Sequence, residues 1–297
     1  MPVIDAHAHL YPPEVNASPA AWAAARGEAH WATLCTRVRK SGRPVQGFPS
    51  VADLLRAMDA ADVERVVLLG WYWEKPETCA WQNRFYAECL RLHDDRVSAF
   101  AALHPEAGLA AVREEISRAM DAGFSGVGEL SPHSQGIPVD DPVLGEALAF
   151  AGELGLAVNF HVTEPDSKDY PGKIATPLAD FARLARAYPE TTFIWAHWGA
   201  RAALDPGIGA EVRALNNVFF DTAASPLTYP PKIWREMADA VGAGRILFGT
   251  DFPLVLYPAR ETEPCMLSLA DEARTSELDD DELAAILCGT ARRVLGI

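Results

Sequence analysis

Two histidines near the start of the chain, His7 and His9, are the residues whose type and spacing most directly suggest chemistry. They follow the β-branched residues Val3 and Ile4, which indicate a short buried strand. Alternate residues of a strand project from the same face, so both imidazoles point in one direction. Two such nitrogens can bind one Zn²⁺ ion at about 2.0–2.1 Å. The pair predicts a metal site if other strand ends supply further ligands.

Further potential ligands stand at the ends of apolar segments later in the chain. They are Glu129, His161, His197 and Asp251. A single histidine after an apolar strand is more often a structural residue, but buried carboxylates are costly unless they are paired or bind a cation. The coincidence of four histidines and two carboxylates at such positions therefore predicts a metal centre.

Eight short apolar segments separated by amphipathic helical segments must position these side chains. They cover residues 3–10, 66–70, 97–103, 126–130, 156–161, 192–197, 218–221 and 245–251. Apolar strands that alternate with helices are typical of parallel βα units. The pattern predicts an α/β fold, a (β/α)8 TIM barrel, in which active sites lie at the carboxyl ends of the strands. The alternative is an open doubly wound sheet, but its glycine-rich phosphate turn after the first strand is absent.

The segments are consistent with one domain over residues 1–297, since we find no internal repeat and no linker. We expect a long loop over residues 11–49 after the first strand, and such loops often cover the active site of a barrel. A helix over residues 280–296 is predicted at the C-terminal end. The acidic residues 279–282 suit the positive end of its dipole.

Composition argues against several classes of partner. The chain has 26 basic and 41 acidic side chains, a formal net charge of -15, which disfavours nucleic acids and anionic membranes as partners. Five scattered cysteines without a CxxC motif suit a reduced compartment. We find no signal segment and no apolar run long enough to span a membrane. We expect a cytoplasmic protein that binds a small-molecule substrate, and homo-oligomer formation is left open.

Five motifs resemble those of the amidohydrolase superfamily, specifically the amidohydrolase-related branch that includes aminocarboxymuconate-semialdehyde decarboxylase-like proteins. They are Asp5-Ala6-His7-Ala8-His9, Gly126-Val127-Gly128-Glu129-Leu130, Val158-Asn159-Phe160-His161, Ala196-His197-Trp198-Gly199 and Phe248-Gly249-Thr250-Asp251-Phe252-Pro253. Each motif alone is weak, but their order along nearly the whole chain is specific. The resemblance implies a distorted TIM barrel with one or two divalent metal ions, usually zinc.

The resemblance also implies how the ligands are shared. His7, His9 and Asp251 would hold the first ion, and His161 and His197 would hold a second ion where one is present. In relatives with a single metal, His161 often joins the first site, and His197 is then free to contact substrate or water.

Glu129 marks a departure from much of the family. Many relatives with two metals have a carboxylated lysine at this position, whereas others have a glutamate. A native carboxylate can bridge two ions without modification. The alternative is that Glu129 is an ion-pair residue beside the ligands, so the number of metals stays open.

A bound zinc ion lowers the pKa of its water from 15.7 to about 7. Asp251 would accept the proton of this water and pass it to the leaving group, and His197 would stabilise negative charge if it is not a ligand. We therefore expect hydrolysis of a small lactone, amide or ester. The alternative is a metal-dependent, non-oxidative decarboxylase of an aromatic or unsaturated carboxylic acid. A catalytically silent binding protein is a third hypothesis.

Three residues outside the ligand set are candidates for substrate binding. Trp71 and Tyr72 follow the second strand and would line a pocket for a flat or apolar substrate, although packing explains them equally well. Arg201 follows the sixth strand and would bind a substrate carboxylate through its planar guanidinium. A salt bridge at a helix end is the alternative for Arg201.

Overall fold

The computed structural model describes all 297 residues. Eight parallel strands form one sheet in which each strand pairs with the next in sequence order. The strands are β1 (Val3–Ala8), β2 (Val63–Leu68), β3 (Val97–Ala101), β4 (Gly126–Leu130), β5 (Ala157–Phe160), β6 (Phe193–Trp195), β7 (Val218–Asp221) and β8 (Ile246–Leu247). Just beyond β8, Phe252 forms a parallel bridge with Ala8. The sheet is therefore a nearly closed barrel, and the predicted TIM barrel is confirmed.

Helices of very different length connect the strands. They are α1 (Pro13–Ala17), α2 (Pro19–Arg26), α3 (Ala29–Cys35), α4 (Val51–Ala60), α5 (Pro76–Leu92), α6 (Leu109–Asp121), α7 (Pro132–Gln135), α8 (Pro142–Glu153), α9 (Leu178–Ala187), α10 (Gly209–Ala214), α11 (Ser225–Thr228), α12 (Ile233–Val241), α13 (Leu267–Arg274), α14 (Asp280–Ala284) and α15 (Thr290–Leu295). None of them is both long and apolar enough to cross a membrane.

Two apolar layers separate the inside of the barrel from its outside. The inner layer takes residues from most of the strands, such as Ile4, Phe100 and Ile194, and the larger outer layer joins the strands to the helices. Cys288 and Ala291 of the C-terminal helical segment also belong to the inner layer. The end of the chain thus closes the amino-terminal end of the barrel and leaves the carboxyl end of the strands open to a cavity.

The C-terminal segment is helical from α14 to α15 and includes a π-helical turn over Ala285–Gly289. Asp279 caps α14 by accepting a hydrogen bond from the Glu282 N–H, and Glu282 bonds back to the Asp279 N–H. The acidic run therefore lies at the N-terminal end of this segment, where negative charge is favourable.

The connection after β1 differs from the expected loop over residues 11–49, because it contains the three short helices α1, α2 and α3. Pro13 and Pro19 occupy first-turn positions of α1 and α2, where a proline costs no hydrogen bond. The helices form because they bury large side chains: Trp22 and Trp31 pack on each other and on Trp73 at ring distances of 5.4–5.8 Å. This aromatic cluster covers one side of the carboxyl end of the barrel.

Candidate metal centre

His7, His9 and Asp251, hereafter the first triad, meet at the carboxyl end of the barrel. The two histidine Nε2 atoms are 3.2 Å apart, and Asp251 Oδ1 lies 3.8 Å from the first and 3.5 Å from the second. All three residues are buried. The structure therefore brings together two nitrogens and one oxygen as the resemblance implied.

Irregular pairing of β1 turns both imidazoles toward the barrel axis. Ile4 and Ala6 belong to the inner apolar layer, whereas Ala8 belongs to the outer layer, and the register with β2 shifts between Asp5 and Ala8. The shift reverses the alternation of sides just where the histidines occur.

The approach of the chain after β8 to β1 also shapes the first triad. A Cβ atom at Gly249 would lie only 2.6 Å from the Cβ of His7. Glycine is therefore the residue that lets the two backbones come together beside the ligand.

Hydrogen bonds fix which nitrogen of each first-triad histidine is free. His7 Nδ1 donates to Asp221 Oδ2 at 2.8 Å, and His9 Nδ1 donates to the Leu69 carbonyl oxygen at 3.0 Å. Both Nε2 atoms are thereby turned toward a common point beside Asp251. Oriented imidazoles of this kind are typical of metal ligands.

Charge makes this point attractive to a cation. Burial opposes protonation of His7, but the carboxylates of Asp221, Glu129 and Asp251 outweigh it and raise its pKa to about 10. Burial and the charge of His7 lower the pKa of His9 to about 3. The surrounding carboxylates thus stabilise one positive charge at this point, but the two adjacent imidazoles cannot both be protonated. A bound cation would supply that charge.

Glu129, His161 and His197 form a second triad beside the first. Glu129 Oε1 is 3.0 Å from His161 Nδ1 and 3.5 Å from His197 Nε2, and the two nitrogens are 3.1 Å apart. The other oxygen of Glu129 lies 3.6 Å from His9 Nε2. One carboxylate therefore faces both triads.

Glu129 is ionised in this setting. Burial raises its pKa, but the charges and hydrogen bonds of His161 and His197, with the charge of His7, outweigh burial and hold the pKa well below its usual range. In each triad the donor atoms lie within 4.8 Å of one another. Imidazole nitrogens and carboxylate oxygens are the donors that zinc and similar divalent metals accept, so the residues present fit such an ion.

His197 stands at the start of a left-handed turn. His197, Trp198, Gly199, Ala200 and Arg201 all have φ values between 48° and 60°. Four of these residues are not glycine, and such backbone persists only where surrounding contacts hold it. Nothing in the sequence analysis predicted this turn.

Asp221, at the end of β7, is a residue of the metal centre that the sequence analysis missed. Besides accepting from His7, its Oδ1 accepts from the backbone N–H of His197 at 3.0 Å, and its Oδ2 accepts from Asn159 at 3.1 Å. One buried carboxylate thus holds a histidine of each triad. Its place at the end of an apolar strand is the signal that would have found it.

An open cavity of about 710 Å³ is lined by every residue of the two triads except His7. Trp71 and Tyr72 line it as well, and their rings stack at 4.4 Å. Trp71 packs edge-on against His9, and Tyr72 lies 5.1 Å from His161. The structure therefore places both predicted substrate-binding aromatics next to the ligands.

Arg201 is not among the residues that line the cavity. Its Nε donates to Glu164 Oε2 at 3.2 Å, and Nη2 lies 3.6 Å from Asp166. Its guanidinium also lies over the ring of Tyr229. The ion-pair alternative describes what the structure shows, because two carboxylates compete for this side chain.

Two other arginines, Arg37 and Arg39, do line the cavity. Each has a buried Nε without a hydrogen-bond partner, and Arg37 stacks on Tyr170 at 4.6 Å. A guanidinium can bind a carboxylate through two parallel hydrogen bonds. The sequence analysis missed both residues because they lie in the connection after β1, where no periodic pattern or motif marks them.

Comparison with protein families gives one match: the family model described as Amidohydrolase fits residues 4–297. The comparison with curated proteins finds no significant match.

Among solved structures, 5-carboxyvanillate decarboxylase from Sphingomonas paucimobilis is similar to this chain, with 17% identity, 99% of each chain covered and a TM-score of 0.73. The 2,6-dihydroxybenzoate decarboxylase from Rhizobium has 18% identity over 100% of this chain and 99% of its own, with a TM-score of 0.68. A Pseudomonas putida protein provisionally described as a 2-pyrone-4,6-dicarboxylic acid hydrolase has 18% identity over 99% and 97%, with a TM-score of 0.65. At these identities the likeness establishes the fold.

Proposed function

The chain belongs to the amidohydrolase family and is an enzyme; we propose that it uses a divalent metal ion, zinc in the first instance, to hydrolyse a small carboxylated substrate. The observation that carries the proposal is the pair of adjacent triads that Glu129 joins beside a cavity. The first triad would hold one ion. Glu129, His161 and His197 would complete a second site.

When bound, such an ion lowers the pKa of a water molecule and polarises a substrate carbonyl group. Asp251 would accept a proton from the attacking water and return it to the leaving group. Its Oδ2 faces His197 Nδ1 at 3.9 Å, whereas its Oδ1 faces the first-triad histidines. One oxygen can therefore serve the metal while the other serves the proton.

The cavity wall supports an acidic substrate. Arg37 and Arg39 supply guanidinium groups with buried, unpartnered Nε atoms, and these would bind a carboxylate. Trp71 and Tyr72 form an apolar surface of the cavity beside His9 and His161. This surface would hold a flat ring or an unsaturated chain against the metal centre.

Non-oxidative decarboxylation is a second candidate function, because two of the similar solved structures are decarboxylases of aromatic acids. In that reaction the metal and the arginines would bind the substrate's carboxylate and its neighbouring oxygen. Asp251 would then deliver a proton to carbon instead of taking one from water.

Assays in ¹⁸O-labelled water with a panel of lactones, amides, esters and aromatic carboxylic acids test the two reactions. Hydrolysis places one labelled oxygen in the product, whereas decarboxylation releases carbon dioxide and leaves no label in the organic product. If the protein loaded with Zn²⁺ or Mn²⁺ neither hydrolyses nor decarboxylates any member of the panel, that result counts against both functions.

The arginine pair provides the test of substrate class. Arg37→Gln should raise KM for the acidic substrate by about tenfold or more, which corresponds to a charge-assisted hydrogen bond of about 1.5–3 kcal/mol. Arg43→Gln is the matched control, because Arg43 lies in the same connection, is exposed and does not line the cavity. Equal KM values for the two variants would refute the role of Arg37.

A further inference from the structure

Glu164 is a buried carboxylate in the segment after β5. It lines the same cavity as the triads but forms no hydrogen bond or ion pair with a residue of either one. It accepts hydrogen bonds from the Tyr229 hydroxyl at 2.7 Å, from Arg201 Nε at 3.2 Å and from the Asp166 backbone N–H at 3.2 Å. A buried carboxylate with this many donors is held in one position. The metal chemistry proposed above does not use it.

The partners of Glu164 reach both ends of the left-handed turn over residues 197–201. Arg201 is the last residue of the turn, and the Tyr229 hydroxyl lies 3.4 Å from the carbonyl oxygen of His197, the first residue. The backbone N–H of His197 is held by Asp221. Asp221 therefore holds the start of the turn by a hydrogen bond, and Glu164 holds its end through Arg201. Glu164 also takes the one hydroxyl hydrogen of Tyr229 and so fixes that side chain against the His197 carbonyl.

Such support is needed because the turn is strained. Left-handed backbone is disfavoured for each non-glycine residue, and only surrounding contacts keep such residues there. A turn released at Arg201 and at the His197 carbonyl would relax toward right-handed backbone. The imidazole of His197 would then leave its place 3.1 Å from His161.

We propose that Glu164 is a positioning residue for His197: by binding Tyr229 and Arg201 it holds the left-handed turn 197–201 and with it the His197 imidazole at the second triad. The part that concerns catalysis rests on the proposed function, since it requires His197 to serve the reaction. The part that concerns the position of the His197 imidazole does not depend on the proposed function.

Nitrogen NMR of the histidine side chains in the metal-free protein tests the geometry. In the structure, His197 Nδ1 donates to the Ala223 carbonyl at 3.1 Å and Nε2 lies 3.1 Å from His161 Nδ1. In Glu164→Gln and in Tyr229→Phe, the Nδ1 and Nε2 shifts of His197 should move, because these contacts change. Asp166→Asn is the matched control: Asp166 pairs with the same guanidinium but is 84% exposed and does not contact Tyr229. Unchanged His197 shifts in both Glu164→Gln and Tyr229→Phe would overturn the proposal. Tyr229→Phe keeps the test valid if Glu164→Gln does not fold.

The cobalt-loaded protein tests the catalytic part separately. The visible spectrum of Co²⁺ should change in Glu164→Gln, and kcat should fall by about 10- to 100-fold, the range for residues that orient metal ligands, while KM changes less than about threefold. If wild-type protein binds no Co²⁺, the proposed function fails while the NMR result still decides the positioning role. A normal spectrum and normal kcat in Glu164→Gln would refute the catalytic part.

Discussion

The two triads of the metal centre use similar ligands but are supported in different ways. In the first triad, obligate acceptors hold both imidazoles: the Asp221 carboxylate holds His7 and the Leu69 carbonyl holds His9. In the second triad, His197 Nδ1 likewise donates to a backbone carbonyl, that of Ala223, at 3.1 Å. His161, however, is held at Nε2 only by the Thr163 hydroxyl at 3.2 Å, which can donate or accept. The histidine side chains are also more exposed in the second triad, at 17% and 15%, than in the first, at 0% and 3%.

The difference indicates a division of labour. The first triad is fully buried, and both of its imidazoles are fixed by hydrogen bonds to acceptors that cannot donate, so it is suited to hold an ion permanently. The histidines of the second triad are more exposed to the cavity and depend on a strained turn and on the segment after β5, so this triad is suited to exchange a ligand for substrate. The first triad would thus hold the ion, and the second triad would contact the substrate.

Substitutions in the two triads should therefore have unequal effects. Asp251→Asn should reduce kcat by about 10²–10⁴-fold, because it removes the proton acceptor and weakens a ligand. His197→Asn should keep a metal ion in the first triad and retain more activity. Metal analysis and turnover of the two variants check the contrast. The contrast would be refuted if His197→Asn lowered the metal content of the protein as much as His7→Asn does.

Chelation should destabilise the protein through the first triad. A ligand at 1,000 times its dissociation constant stabilises the fold by about 4 kcal/mol, so stripping the metal should lower Tm by several degrees. Differential scanning fluorimetry with and without chelator measures this shift. The shift should persist in His197→Asn and disappear in His7→Asn. Identical shifts in the two variants would show that neither triad dominates.

Asp221→Asn should weaken metal binding by about 10- to 100-fold, the usual cost of removing the partner of a metal-binding histidine. Asparagine has nearly the same shape, but its amide cannot match the carboxylate as an acceptor for the His7 N–H. Titration of the metal-free protein with Zn²⁺ and a competing chelator measures the change. An unaltered affinity would mean that strand geometry alone orients His7.

Thr163→Val should have the smallest effect, below about tenfold in metal affinity, because the hydroxyl is a weak and reversible partner of His161. Valine keeps the shape of the side chain and removes only the hydroxyl. The same titration provides the comparison with Asp221→Asn. A larger loss in Thr163→Val than in Asp221→Asn would invert the proposed division between the triads.

The sequence predicted the barrel and the candidate ligands at its strand ends, because both depend on local patterns. Apolar strands separated by helices can be recognised without tertiary information, and strand ends of a barrel meet by necessity. The same rule applied to β7 would have included Asp221. The left-handed turn at His197 could not be predicted in this way, because its residues have no preference for that backbone and are held by Glu164, Tyr229 and Asp221 from distant segments.

The connection after β1 was also beyond the reach of the pattern. Its helices are short, and they are stable because Trp22 and Trp31 find Trp73 in another segment. Arg37 and Arg39 line the cavity only because this connection folds over it. Arg201, by contrast, was noticed for its guanidinium, and its partners Glu164 and Asp166 could not be foreseen from spacing.

The closure of the barrel between its first and last strands affects how the protein can be made. The hydrogen bond from Thr250 to Asp5 joins residues 245 positions apart, and the first triad likewise joins His7 and His9 to Asp251. A ribosome that adds about 5–20 residues per second leaves β1 without its final neighbour for roughly 10–50 s. We therefore expect metal loading to follow translation, and a chain interrupted before Asp251 to leave the ribosome without a complete first triad.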